Sequence, residues 1–371
     1  MKNTLVYYDP ELTVTIEDIP IPTYGPDEVL IKVVCAGSNP KDYKHPHPKR
    51  FNVKVNQGDD VGGTVEAVGA HIRNFRPGDR VAAFHPMDLP RGTYAEYTVC
   101  PANTVFHIPD DVSFEEAATI PLAAYTAAIG VYLNLELPLP WERRDARAPR
   151  GGRKTPLVVN GAASAVGAFA VKFAKMRPDV YPIVGTASPG VSAQYARSIG
   201  CDVVVDYRGS VEQVTEELKK ALGGAELRHV FDASNSLKSV RYASACFAPP
   251  RSGEGLANRY TGTLPFTANP MWKDVYPDTA KIEETLQQVG CWYEQIWVGC
   301  VHEDKIEGAK MFGGIASKIM EMGLAEGTFS GQPYELIPNG LEGVYGGLVK
   351  LRDRKGGNSK LVYRIADTPG L

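Results

Sequence analysis

The chain has 371 residues, 43% of them hydrophobic and 22% charged, and carries a net charge of -3. That length exceeds what one core usually fills, so two domains are expected, and the charge balance lacks the basic face of a nucleic-acid binder. No apolar run reaches bilayer length, the start Met1-Lys2-Asn3-Thr4-Leu5-Val6 is not a secretory leader, and six scattered cysteines suit a reducing, cytosolic setting.

Residues 1 to about 120 hold short β-type runs broken by Gly and Pro, at 28–34, 63–68, 80–84 and 94–99. Such spacing predicts an antiparallel, barrel-type domain. Residues 115–133 are Ala-rich and helical in pattern, interrupted by Pro121. Buried strands at 157–159, 181–185, 203–205, 229–231 and 296–298 then alternate with helical stretches at 165–176, 194–199 and 211–222. This β-α-β order predicts an α/β fold with a doubly wound parallel sheet. A helix at 304–322 and a strand at 360–365 close the chain, and the simplest arrangement returns this tail to the first domain. The expected division is therefore 1–124, 125–301 and 302–371. Two segments read as inserted loops: 135–156, with a basic cluster, and 249–277, whose aromatics Tyr260, Phe266 and Trp272 either line a pocket or pack the insertion down.

The segment Leu157-Val158-Val159-Asn160-Gly161-Ala162-Ala163-Ser164-Ala165-Val166-Gly167 has the order strand, tight turn, helix. Gly161 suits the turn, Gly167 lets helix and strand pack closely, and the N–H groups at the helix start can bind phosphate. Ala163 stands where the middle Gly of G-x-G-x-x-G would be, which makes this a variant dinucleotide fingerprint. The next strand runs into Gly185-Thr186-Ala187-Ser188-Pro189-Gly190 with no acid before Asp202. An NAD enzyme usually places Asp or Glu there for the ribose 2′-OH. Ser188, Ser192 and Asp206-Tyr207-Arg208 instead offer hydroxyls and a cation, which favours a 2′-phosphate and hence NADPH. Ordinary loop serines are the plain alternative.

Gly37-Ser38-Asn39-Pro40-Lys41-Asp42-Tyr43-Lys44 resembles the G-x-N-P-x-D-x-K stretch of medium-chain quinone oxidoreductases and enoyl reductases. Gly58-Asp59-Asp60-Val61-Gly62-Gly63 with Phe75-Arg76-Pro77-Gly78-Asp79-Arg80-Val81 resembles that superfamily's GroES-like signature. Ile120-Pro121-Leu122-Ala123-Ala124-Tyr125-Thr126 is similar to the helix leading into its Rossmann domain. Within the superfamily the likeness is nearest to fungal trans-acting enoyl reductases of polyketide biosynthesis, through 39–44, 125–128, the loop before the Rossmann strand and the tail 351–364. The zinc-dependent branch carries G-H-E where this chain has Gly58-Asp59-Asp60, so a His ligand is missing, and no four-Cys lobe exists. His45-Pro46-His47 reads as a solvated loop, and the chain is expected to hold no metal.

The resemblance implies a zinc-independent reductase in which NADPH gives hydride to the β-carbon of an activated C=C bond. It implies cofactor contacts at Lys41, Asp42, Tyr43 and Lys44, and at Gly161, Ala163, Ser164, Ala165 and Val166. Further contacts are implied at Thr186, Ala187, Ser188 and Pro189, at Tyr207, and at Gly356 and Gly357. Lys44, Thr126 and Tyr43 are the catalytic candidates: Lys44 for the nicotinamide ribose or developing charge, Thr126 for the nicotinamide or carbonyl, Tyr43 for shielding or protonation. A surface lysine and a helix hydroxyl bonding its own backbone are their plain alternatives. The substrate would be an enoyl chain on a carrier domain of a polyketide synthase, which the basic residues of 143–154 could attract. A free-standing quinone or enone reductase shares the same motifs, and a non-catalytic NADPH-binding protein would keep the dinucleotide segment alone. Some superfamily members dimerise through the last Rossmann strand, here 291–300, and others do not.

Overall fold

β-branched and aromatic residues dominate the start of the chain, and β1 (Lys2–Tyr8) pairs antiparallel with β2 (Leu12–Asp18). The computed structural model describes residues 1–142, 154–249, 256–266, 276–303 and 306–371. After the hairpin come β3 (Glu28–Gly37), the one-turn helix α1 (Lys41–Lys44), β4 (Asp60–Val68), β5 (Arg80–Phe84), β6 (Tyr97–Pro101) and β7 (Val105–His107). Next are α2 (Phe114–Ala117) and α3 (Pro121–Ala128), then β8 (Thr155–Asn160), α4 (Ala165–Lys175), β9 (Val180–Thr186), α5 (Val191–Ser198) and β10 (Val203–Val205). They are followed by α6 (Val211–Leu222), β11 (His229–Asp232), α7 (Leu237–Ser244), β12 (Arg259–Gly262), α8 (Thr279–Gln288) and β13 (Trp292–Gln295). The chain closes with α9 (Ala309–Ala325), β14 (Tyr334–Ile337), α10 (Val344–Arg352) and β15 (Lys360–Arg364). Two units result: Met1–Tyr125 with Val298–Leu371, and Thr126–Trp297.

In the first unit a seven-stranded sheet runs β14-β15-β3-β4-β5-β7, with β6 also pairing β3. Val29, Ile31, Val61 and Val81 form its core together with Leu348, Leu361 and Tyr363 from the end of the chain. A buried polar clamp fixes that return. Lys360 Nζ donates to Asn39 Oδ1 and to Asp60 Oδ2, both at 2.6 Å, and Asn39 Nδ2 donates to Asp60 Oδ2 at 2.8 Å. The other Asp60 oxygen accepts the backbone N–H of Leu122 at 2.6 Å, so one carboxylate ties β4 to three separate segments.

The second unit is a six-stranded sheet, parallel throughout, in the order β10-β9-β8-β11-β12-β13. The order reverses between β8 and β11, and in such sheets ligands bind beyond the strand ends at this switch point. Helix α6 shows why its segment was readable. Val214, Leu218 and Leu222 bury one stripe, Ser210 and Gln213 form a capping box, and Gly223 takes the left-handed C-terminal conformation.

Some expectations are corrected. Strand β12 lies inside 249–277, where only a loop was expected, and the last strand is β13 rather than 296–298, where Val298 already begins a 3-10 turn. Helix α9 starts at Ala309, later than expected. Tyr260 and Phe266 are buried in the core of the second unit, edge to face at 5.7 Å, with Phe266 also meeting Tyr293 at 6.2 Å. They pack their segment down. Trp272 and the basic residues of 143–153 lie outside the described residues. Among the described residues no helix is long and apolar enough to cross a membrane.

The clamp has a measurable consequence. Removing one partner of a buried ion pair strands the other charge and costs about 3–5 kcal/mol. Lys360→Met should lose about that much in urea denaturation, and a loss below about 1 kcal/mol would show that Asp60 is not held by the ammonium.

Candidate active site

At the end of β8 the chain turns at Gly161, which has φ +69°, a conformation that favours glycine. Its N–H donates to Thr186 Oγ1 at 3.0 Å, and Ala162 N–H donates to the Thr186 carbonyl at 3.0 Å, so the turn is pinned to the end of β9. Ser164 caps α4 by accepting from Gly167 N–H at 3.2 Å. A Cβ on Gly167 would fall 2.2 Å from the Gly161 carbonyl oxygen, which accounts for the glycine there. The positive end of α4, carrying Ala165 and Val166 in its first turn, follows this turn directly.

Beyond β9, Ala187 N–H donates to the Val205 carbonyl at 3.1 Å, and Ser188 Oγ meets Ser192 Oγ at 3.0 Å across Pro189 and Gly190. Both nearby acids already have partners. Asp202 accepts from Ile183 N–H at 2.8 Å and pairs with Lys175. Asp206 is bound by Arg208 through Nε at 3.0 Å and Nη2 at 2.9 Å, which holds its carboxyl below the usual range, with Lys238 adding to the effect. Tyr207 stands between them, 41% exposed. Hydroxyls, a helix N-terminus and an open ring thus border this strand end. Sequence reading overlooked Asp232 at the end of β11. It accepts from Ser234 N–H and Asn235 N–H, each at 2.8 Å, and from Ser239 Oγ and Tyr260 OH at 2.8 and 2.5 Å, and so shapes the loop facing Gly161. The strand-end string Asp232-Ala233-Ser234-Asn235 was its signal.

In the first unit, the stretch from Asn39 to Lys44 forms the loop and single turn α1. Asp42 is buried and its Oδ2 accepts from Asn39 N–H at 2.8 Å and Tyr94 OH at 2.6 Å. Lys41 points inward: its ammonium donates to the Gln57 carbonyl at 2.7 Å and to Gln57 Oε1 at 3.2 Å, pairs with Asp59, and lies 3.5 Å from Asp42 Oδ1. Burial disfavours that charge, but Asp59, Asp42 and Asp88 outweigh it and hold Lys41 protonated. Neither the Lys41 ammonium nor the Asp42 carboxylate is thus presented outward.

Asp59 and Asp42 face one ammonium between them, and burial pushes both up to about 7. His85 Nε2 lies 3.1 Å from the Pro90 carbonyl, an acceptor, so Nε2 carries the hydrogen. Burial lowers the His85 pKa to about 3, which leaves the ring neutral, and its Nδ1 lies 3.3 Å from Asp59 Oδ1.

Lys44 differs from Lys41. It is half-buried, its ammonium 5.9 Å from the Tyr43 ring centroid, and burial together with Arg50 and Arg354 lowers it to about 8. Tyr43 is also half-buried, and its carbonyl accepts from Tyr8 OH at 3.1 Å. Gly356 and Gly357 form the turn after α10, with Gly357 at φ +59°. Thr126 is buried within α3. Among the described residues no group of His, Cys, Asp and Glu could hold a metal ion.

The alcohol dehydrogenase GroES-like domain family matches residues 25–110. The chain is 37% identical to trans-enoyl reductase fsr4 of Gibberella fujikuroi over 92% of each chain. It is 29% identical to trans-enoyl reductase resD of Aspergillus sclerotiorum, over 94% of this chain and 96% of that one. Among solved structures, an alcohol dehydrogenase superfamily protein from Novosphingobium aromaticivorans matches with TM-score 0.75 at 16% identity, over 98% and 99% of the two chains. The CurK enoyl reductase matches with TM-score 0.71 at 19% identity, over 97% and 98%. A mycobacterial protein complexed with NADPH matches with TM-score 0.68 at 21% identity, over 98% and 99%.

The two lysines should separate chemically. At pH 8 the Lys44 amine has a neutral fraction about a hundred times that of a surface lysine, so its acylation should rise with a midpoint near pH 8. Lys41 should stay unlabelled. Peptide mapping after labelling between about pH 7 and about pH 10 reads both, and a Lys44 midpoint above about 10 would contradict the assignment.

Proposed function

We propose that the chain, which belongs to the fungal trans-enoyl reductases of the medium-chain dehydrogenase/reductase superfamily, reduces carrier-bound enoyl thioesters with NADPH and without zinc. It is an enoyl reductase, an oxidoreductase acting on an activated C=C bond. One observation carries the finer reading. Where the zinc branch has a His ligand, this chain has Asp59, bound to the ammonium of its own Lys41. A carbonyl must then be activated by hydrogen-bond donors and fixed charge, and a conjugated acyl group is an acceptor suited to that weaker activation.

NADPH is favoured over NADH because Asp202 and Asp206 are both occupied, while Ser188, Ser192 and Tyr207 border the end of β9. Gly161, Ala163, Ser164 and the start of α4 would hold the pyrophosphate, with Thr186 and Ala187 fixing the adjoining strand end. Gly356 and Gly357 would add backbone contacts. When bound, the cofactor supplies the hydride that the β-carbon receives. Lys44 would stabilise the negative charge that develops on the acyl oxygen or orient the ribose, and Thr126 would add a hydroxyl donor. Tyr43 would cover the reacting face, and water can return the proton to the α-carbon. Arg50 and Arg354 beside Lys44 give the first unit a basic surface for an acidic carrier domain of a polyketide synthase. Six unpaired, buried cysteines agree with a cytosolic setting.

NADPH oxidation with a 2-enoyl pantetheine thioester, a simple enone and a quinone tests the substrate. Turnover should be confined to the thioester and persist after chelator treatment, and Lys44→Ala should lower kcat/KM by about 10²–10³-fold. Fast quinone turnover would favour the free-standing reductase, and NADPH binding without oxidation a non-catalytic role.

A further inference from the structure

We propose that Lys41 is a positioning residue, whose buried ammonium takes the role of an internal metal ion by fixing the turn that presents Tyr43 and Lys44. The inference rests on the reading that those two residues serve the reaction.

Helix α1 is a single turn entered from Pro40, with no side-chain cap at its start, and one turn does not stand alone in water. It is held by its inward side chains. Asp42 fastens the entry through Asn39 N–H and anchors it to Tyr94. Lys41 fastens the same turn to Gln57 and Asp59 in the segment just before β4. The ammonium thus meets four oxygens: two carboxyl groups, one carbonyl and one amide. Its side chain is only 10% exposed, and the two acids are fully buried.

Stability alone does not require such a site, because an apolar replacement of a buried ion pair is often as stable. What the cage supplies is direction. Asp42 can keep its charge, and so its grip on Asn39 and Tyr94, only with a cation beside it. On the far side Asp59 meets only His85, whose buried ring is neutral and reaches the Pro90 carbonyl through Nε2, so no second cation enters the site. An ion pair directs the turn from within, and the neighbouring Lys44 is left clear of acids and beside Arg50 and Arg354.

The double variant Lys41→Met/Asp59→Asn separates position from stability. The carboxamide at position 59 removes one of the two acids, and Asp42, left without a cation, takes up a proton, so no unpaired charge remains at that site. Tm should then return to within about 3 °C of the native protein after a larger drop in Lys41→Met alone. Lys44 should nevertheless lose its arrangement. Its labelling midpoint should climb from near pH 8 to above about 9, and kcat for the enoyl thioester should stay at least about tenfold low with KM changed less than about twofold. A double variant that recovers Tm, midpoint and kcat together would overturn the proposal and make Lys41 a purely structural residue. If the native protein reduces no enoyl thioester, the proposed function fails, while the labelling midpoint still decides whether Lys41 positions Lys44.

Discussion

Asp60 is buried at the first position of β4, and a buried carboxylate must be paired or it will not stay ionised. It is paired by the side chain of Asn39, the ammonium of Lys360 and the backbone of Leu122. These partners lie in the motif loop, the returning C-terminal strand and the start of α3, which are distant in sequence. One charge therefore sets where the candidate loop begins and where the chain's last strand joins the sheet. Next to it, Asp59 does the same for α1 through Lys41. The first unit is thus organised by two acidic side chains and two internal ammonium groups.

The second unit obeys a different constraint. Its parallel sheet buries apolar strands such as Leu157-Val158-Val159 on both faces, and only the strand ends are left for polar chemistry. Gly161 takes a left-handed turn, Gly167 is small because backbone passes backbone there, and Asp232 collects five donors to hold the loop across the switch point. The acids that could read a ribose are already committed to Ile183 and to Arg208.

Local patterns made much of the fold legible. The alternation of buried strands with amphipathic stretches marked the parallel sheet, and the caps at Ser210 and Gly223 bounded α6 at both ends. Strand β12 escaped notice because four residues between Gly- and Pro-rich flanks carry little periodic signal, and its partners β11 and β13 come from elsewhere in the chain. The α4 turn was readable because its chemistry is contiguous. The Lys41 cage was not, since Lys41, Gln57, Asp59 and His85 look like surface residues singly and only β-sheet register brings them together. Asp42 carried a motif signal, but nothing in its sequence neighbourhood shows that Tyr94 holds it.

As a trans-enoyl reductase without a group of metal ligands among its described residues, the protein is expected to deliver hydride to the β-carbon of an enoyl thioester without a metal ion. The direct measurement is reduction of a 2-enoyl pantetheine thioester with NADPH deuterated at nicotinamide C4, using protein treated with a chelator, and location of the label by NMR and mass spectrometry. The account predicts one deuterium on the β-carbon and none on the α-carbon of the saturated product. Absence of label from the β-carbon, or turnover that returns only when zinc is added, would contradict it.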